Sequence, residues 1–219
     1  MPHVCAYSKG RSLKTDLSRY QTRNNLYTSV LTFAWGFIAD LDIESEKIRF
    51  VGEARFELWA VLRILFLRIY KGRFSYLPAC KVDDKSRAIT MPSITDPVPA
   101  DWEVVDDDFV LFWASTVPYA SATTKQSPNS HLQDGVFQIM IVRTGLSRIQ
   151  MIRILLASDS GAHVNLPGVE FVDCVAYRLE PETPGSFNDI DGEVVEAGPI
   201  QGNILPRAIS VFCNSHSYL

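Results

Sequence analysis

The 219-residue sequence contains few cysteines and no long apolar run. The four cysteines are Cys5, Cys80, Cys174 and Cys213. They lie far apart without a CxxC pair, which argues against a zinc site or a disulfide framework and favours a reducing, cytosolic setting. The longest apolar run, residues 58–70, is about half a membrane span and is interrupted by Arg63 and Arg68. We therefore predict that nothing in this chain spans a bilayer.

Positive charge and signal segments are also lacking. The net charge is −4, so there is no electrostatic reason to expect a nucleic-acid partner. Residues 1–15 have no apolar core segment and do not form a secretory signal, and we expect them to be irregular. Neither a Walker-type motif nor a protein-kinase signature occurs. With 47% hydrophobic and 21% charged residues, the composition is that of a globular protein.

Hydrophobic periodicity predicts many strands and a few helices. A helix over residues 53–70 is apolar nearly all round, which predicts burial on most sides. A second, amphipathic helix over 147–157 could act as a lid that dips into a bilayer. Many strands with turns between them predict an antiparallel β-rich α+β domain. The predicted strands are 17–22, 27–37, 73–77, 108–115, 136–142, 169–178, 192–196 and 208–212.

The densest chemistry lies in residues 34–55, AWGFIADLDIESEKIRFVGEAR. An apolar run leads into acids at alternate positions and then into basic residues. From the residues alone, Asp42 either caps a helix or binds a cation at the lip of an apolar pocket, and the cap is the commoner role. Arg49 and Arg55 either hold phosphate or pair with neighbouring glutamates. The acids of this stretch are Asp40, Asp42, Glu44 and Glu46.

Two segments carry a family resemblance. WGFIADLDIESEK followed by GEARF, and FNDIDGEVVEAGPIQGNILP at residues 187–206, resemble the sphingosine kinase family of diacylglycerol-kinase-like lipid kinases. The resemblance implies that residues 16–214 form a C-terminal lipid-binding domain, while residues 1–15 are unmatched. It implies an α+β fold, with an antiparallel β-sandwich-like domain and two to three helices covering an apolar lipid pocket.

The resemblance also assigns roles. Asp42 matches the family acid that contacts the amine and hydroxyl of the substrate. Arg49, Arg55 and Glu193 match residues facing the nucleotide, and Asp191 matches an acid that reaches toward its magnesium, although an Asp-Gly pair is more often simply a turn. His163 matches a histidine near the tail end of the pocket, where a structural role is the alternative. The expected lining, which could equally be plain core, is Phe37, Ile38, Leu41, Phe56, Leu111, Met140, Met151, Ile154, Leu155 and Val169.

One family element is missing from this sequence. The family positions the donor phosphates with a Gly-Asp-Gly loop in an N-terminal nucleotide-binding domain, which also carries the proposed catalytic base. The only Asp-Gly pairs here are Asp134-Gly135 and Asp191-Gly192. Without a phosphate cradle, phosphoryl transfer loses positioning and charge stabilisation. We expect no catalytic residue in this half, and no activity from the chain alone.

These observations give one leading function and several alternatives. The leading function is ATP- and Mg²⁺-dependent phosphorylation of sphingosine and related long-chain bases to sphingosine 1-phosphate, with this chain supplying the lipid pocket. The alternatives are a non-catalytic lipid-binding module, a kinase for ceramide or acylglycerols, and an interaction domain without a ligand. We expect a cytoplasmic protein at the membrane periphery. The oligomeric state stays open, a dimer included.

Overall fold

The computed structural model describes residues 12–52, 54–85 and 88–212. Within these residues the chain forms ten β-strands and three α-helices. The strands are β1 (Ser12–Gln21), β2 (Leu26–Ser29), β3 (Thr32–Gly36), β4 (Tyr70–Pro78), β5 (Glu103–Ser115), β6 (Phe137–Arg143), β7 (Val169–Pro181), β8 (Asn188–Ile190), β9 (Glu193–Val195) and β10 (Ile200–Phe212). The α-helices are α1 (Phe37–Ser45), α2 (Ala54–Leu65) and α3 (Arg148–Ala157), and short 3-10 helices cover Glu46–Val51, Ala79–Lys81 and Ala162–Asn165.

All strand pairings are antiparallel. The strand order is β2-β1-β10-β7-β4-β5-β3-β8-β9, and β6 pairs with both β5 and β7. Strands β5 and β7 each pair with β4 along one part of their length and with β6 along another. Because these strands are shared, the sheet folds over on itself and encloses a core. The predicted α+β class with a β-sandwich-like domain is confirmed.

The enclosed core is rich in aromatic side chains. The rings of Phe137 and Tyr177 meet edge-on, with centroids 5.1 Å apart, and Phe74 and Phe112 do so at 5.0 Å. Edge-to-face pairs of this kind add to the stabilisation from burial. Tyr20 comes from β1 and is also fully buried. The aromatic core therefore joins strands from both ends of the chain.

A second apolar cluster, the helix-covered cluster, lies where the three helices pack on the sheet. Its buried members are Ala34, Phe37, Ala39, Ile64, Val110, Leu111, Trp113, Met140, Val142, Met151 and Ile154. Along β3, Phe33 and Trp35 join the aromatic core while Ala34 joins this second cluster, as the two-residue period of a strand requires. Gly36 then turns the chain into α1 with a φ of 84°, and a Cβ there would lie 2.8 Å from the carbonyl oxygen of Val110. Glycine therefore lets α1 start directly against the sheet.

The structure differs from the prediction for the second helix. α2 ends at Leu65, β4 begins at Tyr70, and Ile64 is the buried residue of this helix. The prediction that the helix is enclosed on most sides is therefore wrong. A helix that is apolar all round is expected to be covered, but its sequence does not show which part of the molecule covers it. The exposed apolar side chains of this region are Phe56, Leu58, Val61, Leu62, Leu65, Phe66 and Ile69.

Two smaller differences from the predicted strands arise because strands pair with partners that are distant in the sequence. The predicted strand over 27–37 is two strands, β2 and β3, followed by the start of α1. Residues 12–15, predicted to be irregular, belong to β1, where Ser12 pairs with Phe212. Residues 1–11 lie outside the described part. Among the helices that are described, none is long and apolar enough to cross a membrane.

Candidate functional site

The buried carboxylate of Asp40 fixes the position of α1. It is fully buried, accepts a short hydrogen bond from the Tyr70 hydroxyl and lies 2.8 Å from an Arg63 guanidinium nitrogen. Burial raises the pKa of Asp40, and the Tyr70 hydrogen bond and the Arg63 charge oppose that rise. Arg63 also donates to Glu44 at 2.7 Å, as does the Trp59 indole at 2.9 Å. One network thus joins α1, α2 and β4.

Asp42 lies two residues beyond Asp40, where α1 faces the β8–β9 turn. The N-cap of α1 is Gly36, so Asp42 is well inside the helix and the capping role is wrong. A Cβ on Gly192 would lie 3.4 Å from Asp42 Oδ2, which places the turn against this carboxylate. Burial raises the pKa of Asp42, Arg55 lowers it, and Glu46 and Glu193 raise it further. Asp42 is thus a half-buried carboxylate between the β8–β9 turn and the charge of Arg55.

Asp189 is a second carboxyl group beside Asp42, and the sequence analysis did not identify it. It lies on β8 opposite Ala34, is 4% exposed, and its Oδ1 has no hydrogen-bond partner among the described residues. Burial, followed by the charge of Asp42, raises the pKa of Asp189 to about 7. The signal in the sequence was that Asp189 lies two residues after Phe187, so that both face the same side of a strand. Phe187 packs against the helix-covered cluster.

The two predicted phosphate-binding arginines converge on one glutamate. Arg55 forms a short ion pair with Glu46, and Arg49 lies 3.5 Å from the same carboxylate. The Arg49 side chain is 81% exposed. Arg55 also stacks over the Phe56 ring, 4.5 Å from its centroid. The two guanidinium groups therefore meet near one point, where in this structure they pair with Glu46.

Asp191, the predicted magnesium ligand, is occupied by a turn. With Gly192 it connects β8 to β9, and its carboxylate accepts hydrogen bonds from the Ser29 hydroxyl at 2.6 Å and the Thr32 amide at 2.9 Å. The amides of Val30 and Leu31 also donate to it. No group of three or more metal-type side chains occurs within residues 12–52, 54–85 and 88–212. These residues alone do not fit a magnesium site.

The predicted lipid-pocket residues meet in the helix-covered cluster, with one exception. Leu111, Met140, Met151 and Ile154 are at most 1% exposed and pack against one another. Phe56 is the exception, because it lies partly exposed under Arg55. Other predicted members in the cluster are Phe37, Ile38, Leu41, Leu155 and Val169.

His163 is a buried structural residue at the edge of this region. Its Nε2 donates to the backbone carbonyl of Gln126 at 2.9 Å, and its ring lies 5.8 Å from that of Phe171, which packs against the helix-covered cluster. Burial lowers the pKa of His163. Its side chain therefore supports the end of the cluster as a neutral ring.

Open clefts occur elsewhere on the described surface. One, of about 380 Å³, includes Arg73 and Arg178 in its lining, and another, of about 410 Å³, includes Arg19 and Met91. Neither is lined by a residue of the helix-covered cluster. The predicted apolar lining, apart from Phe56, is assembled in the helix-covered cluster.

The chain is similar to known proteins in its sequence. The family described as "YegS C-terminal NAD kinase beta sandwich-like domain" matches residues 98–213. Human sphingosine kinase 1 is 38% identical over 193 residues, covering 82% of this chain and 50% of the relative. Arabidopsis thaliana sphingosine kinase 2 is 29% identical over 212 residues, covering 87% and 44%. The chain thus spans about half the length of these curated relatives, and the resemblance inferred from its two motifs is confirmed.

A solved structure extends the comparison to the fold. A diacylglycerol kinase from Bacillus anthracis str. Sterne aligns with a TM-score of 0.57 at 13% sequence identity. The alignment covers 96% of this chain and 57% of that one. At this identity the likeness concerns the fold alone.

Replacing Arg63 tests the network that holds α1. Arg63→Met should lower the free energy of unfolding by about 3–5 kcal/mol, because it leaves the buried Asp40 carboxylate without its closest cation. Arg153→Met is the matched control, since Arg153 lies exposed on α3 and the side-chain change is the same. Urea denaturation at pH 7 measures both. Equal effects of the two substitutions would contradict the role assigned to Arg63.

Proposed function

The chain belongs to the family of YegS C-terminal NAD kinase β-sandwich-like domains, and on that premise we propose that it is the lipid-binding half of a sphingosine-kinase-type phosphotransferase. The proposed substrate is sphingosine or another long-chain base, and the product is its 1-phosphate. The observation that carries the proposal is the position of Asp42. This half-buried carboxylate stands where α1, which also contributes Phe37 and Leu41 to the helix-covered cluster, faces the β8–β9 turn.

A long-chain base needs a cation site and an apolar site side by side. A charge-assisted hydrogen bond from the substrate ammonium to Asp42 would fix the head group and orient the neighbouring hydroxyl. The helix-covered cluster would receive the tail, and each buried methylene contributes about 0.8 kcal/mol. Methionine side chains adapt readily to a change of shape, and Met140 and Met151 are buried where α3 meets the sheet. We therefore propose that the tail enters by displacing α3 from the sheet. In this account the assembled cluster is the closed form of the pocket.

The phosphate donor would lie on the side of Arg49 and Arg55. Their planar guanidinium groups suit the oxygens of ATP, and an incoming phosphate would compete with Glu46 for them. Glu193 is exposed on the adjoining strand β9 and would face the nucleotide. Asp191 is engaged by the Ser29 hydroxyl and the Thr32 amide, so we assign no magnesium ligand to the described residues. The base that removes the hydroxyl proton would come from a Gly-Asp-Gly domain supplied outside this chain.

Replacing Asp42 separates an amine-bearing substrate from other lipids. Asp42→Asn should weaken equilibrium binding of fluorescent sphingosine on the order of 10- to 100-fold, because it removes the charge opposite the ammonium group. Binding of a fluorescent ceramide, whose nitrogen is an uncharged amide, is the control and should change little. Undiminished sphingosine binding by the variant would sink the amine assignment and favour a kinase for ceramide or acylglycerols.

We also propose that the exposed apolar sides of α2 and α3 contact a membrane surface, from which a barely soluble substrate would enter. The two helices adjoin, because Arg148 Nε on α3 donates to the carbonyl of Leu65 at the end of α2 at 3.1 Å. Arg148 and Arg153 are exposed on α3 and would favour anionic lipid. The exposed apolar residues of α3 are Ile149, Ile152 and Leu156.

Vesicle sedimentation tests this surface. Ile152→Glu should reduce the fraction of protein that sediments with phosphatidylserine–phosphatidylcholine vesicles several-fold, because it places a charge in the apolar contact. Leu26→Glu is the control, since Leu26 is 70% exposed on the distant strand β2. Sedimentation that is insensitive to Ile152→Glu would contradict membrane docking and leave the remainder of a full-length kinase as the partner for this face.

A further inference from the structure

The side chain of Asp189 is a buried carboxyl group that the described residues do not fully pair. It is 4% exposed, and Oδ1 is buried without a hydrogen-bond partner among the described residues. A buried polar atom without a partner costs free energy that an apolar residue at the same position would not cost. The backbone of Asp189 pairs with Ala34 on one side and Val194 on the other, and a hydrogen bond from the Gly192 amide to the carboxyl group opposes the rise in its pKa. The unpaired group is therefore Oδ1.

The position of Asp189 joins the acidic and apolar parts of the candidate site. Opposed residues on paired strands point to the same face, so Asp189 lies on the side of Ala34, which belongs to the helix-covered cluster. Phe187, two residues earlier, packs against that cluster as well. The turn that follows Asp189 lies against Asp42 on α1, because a Cβ on Gly192 would be 3.4 Å from Asp42 Oδ2, and Asp42 is the charged group that most raises the pKa of Asp189. Two carboxyl groups therefore adjoin each other at the edge of an apolar region.

Local positive charge does not balance this pair. Arg55 is the basic neighbour of Asp42, but it forms its ion pair with Glu46. Asp191 and Glu193 add negative charge to the surroundings of Asp189. A metal ion is a poor candidate for the missing charge, because the part of the chain that the structure describes has no group of metal-type side chains able to hold one. An organic cation with an apolar tail fits both halves of the environment.

We propose that Asp189 and Asp42 together bind the ammonium group of the substrate, and that Asp189 makes this site selective for a primary amine. This inference rests on the proposed long-chain-base site. A primary ammonium group has three N–H donors, so it can donate to both carboxylates and still reach a third acceptor. An N,N,N-trimethylated base carries the same charge without an N–H donor, and leaves Asp189 Oδ1 unpaired.

The raised pKa of Asp189 agrees with this role. Burial and the charge of Asp42 raise the pKa of Asp189 to about 7, which reflects the cost of placing a second negative charge there. A bound cation between the two groups would reduce that cost. The carboxyl pair is therefore destabilising in the free protein and stabilised by the ligand it selects.

Methylated analogues test the inference on the complete chain. The equilibrium dissociation constants of sphingosine and N,N,N-trimethylsphingosine are measured for the natural chain, Asp189→Ala and Asp189→Asn. The natural chain should prefer sphingosine, and Asp189→Ala should reduce that preference on the order of tenfold or more. Asp189→Asn retains an acceptor oxygen and should recover part of it. Asp106→Ala is the control, because Asp106 lies exposed on β5.

The outcomes separate this inference from the proposed function. Loss of preference in Asp189→Ala, with partial recovery in Asp189→Asn, supports the two-carboxylate site. Unchanged preference in both variants overturns it, while sphingosine binding that still depends on Asp42 leaves the proposed function standing. Equal weakening of both ligands by Asp189→Ala also overturns it, because Asp189 would then only shape the pocket. Absence of sphingosine binding by the natural chain overturns both. Thermal unfolding of each variant verifies that it is folded.

Discussion

The contact between Asp40 and Arg63 is the interaction on which the candidate site depends. A fully buried carboxylate is costly unless it is paired, and here a guanidinium group and the Tyr70 hydroxyl supply the pairing. Arg63 belongs to α2 and Tyr70 to β4, so one charge fixes two helices and the sheet relative to each other. Asp42 follows two residues later on the same helix, and its position against the β8–β9 turn is a consequence of this arrangement.

The same arrangement explains why acidic residues crowd this part of the chain. The four acids between residues 40 and 46 have different surroundings: Asp40 and Glu44 pair with Arg63, whereas Glu46 pairs with Arg55 and Arg49. Within the described residues Asp42 forms no ion pair of this kind, and it adjoins Asp189. Asp40 and Glu44 hold α1 to α2, whereas Asp42 is the acid that the proposed function assigns to a ligand. In the proposed function, a sphingoid base would supply the missing cation and the tail that the neighbouring apolar cluster requires.

Sequence reasoning predicted those features that local pattern determines. Alternation identified most of the strands, and the resemblance selected apolar residues that do meet in one cluster, apart from Phe56. It failed where a distant contact decides the outcome. The apolar residues of α2 gave no indication that Leu58 and Leu62 face outward, and Asp191 gave none that its carboxylate is engaged by the turn at Val30. Asp189 was missed because a charged residue in a three-residue strand resembles a turn residue until its pairing with Ala34 is known.

The most direct test of the account is to incubate the chain as given with labelled ATP, magnesium and sphingosine, while measuring equilibrium binding of fluorescent sphingosine in parallel. The account predicts saturable binding without turnover, because the lipid site is in this chain and the phosphate cradle is not. Absence of saturable binding would contradict the central claim that these residues form a lipid site. Robust turnover would contradict the assignment of the phosphate cradle and the catalytic base to a domain outside the chain.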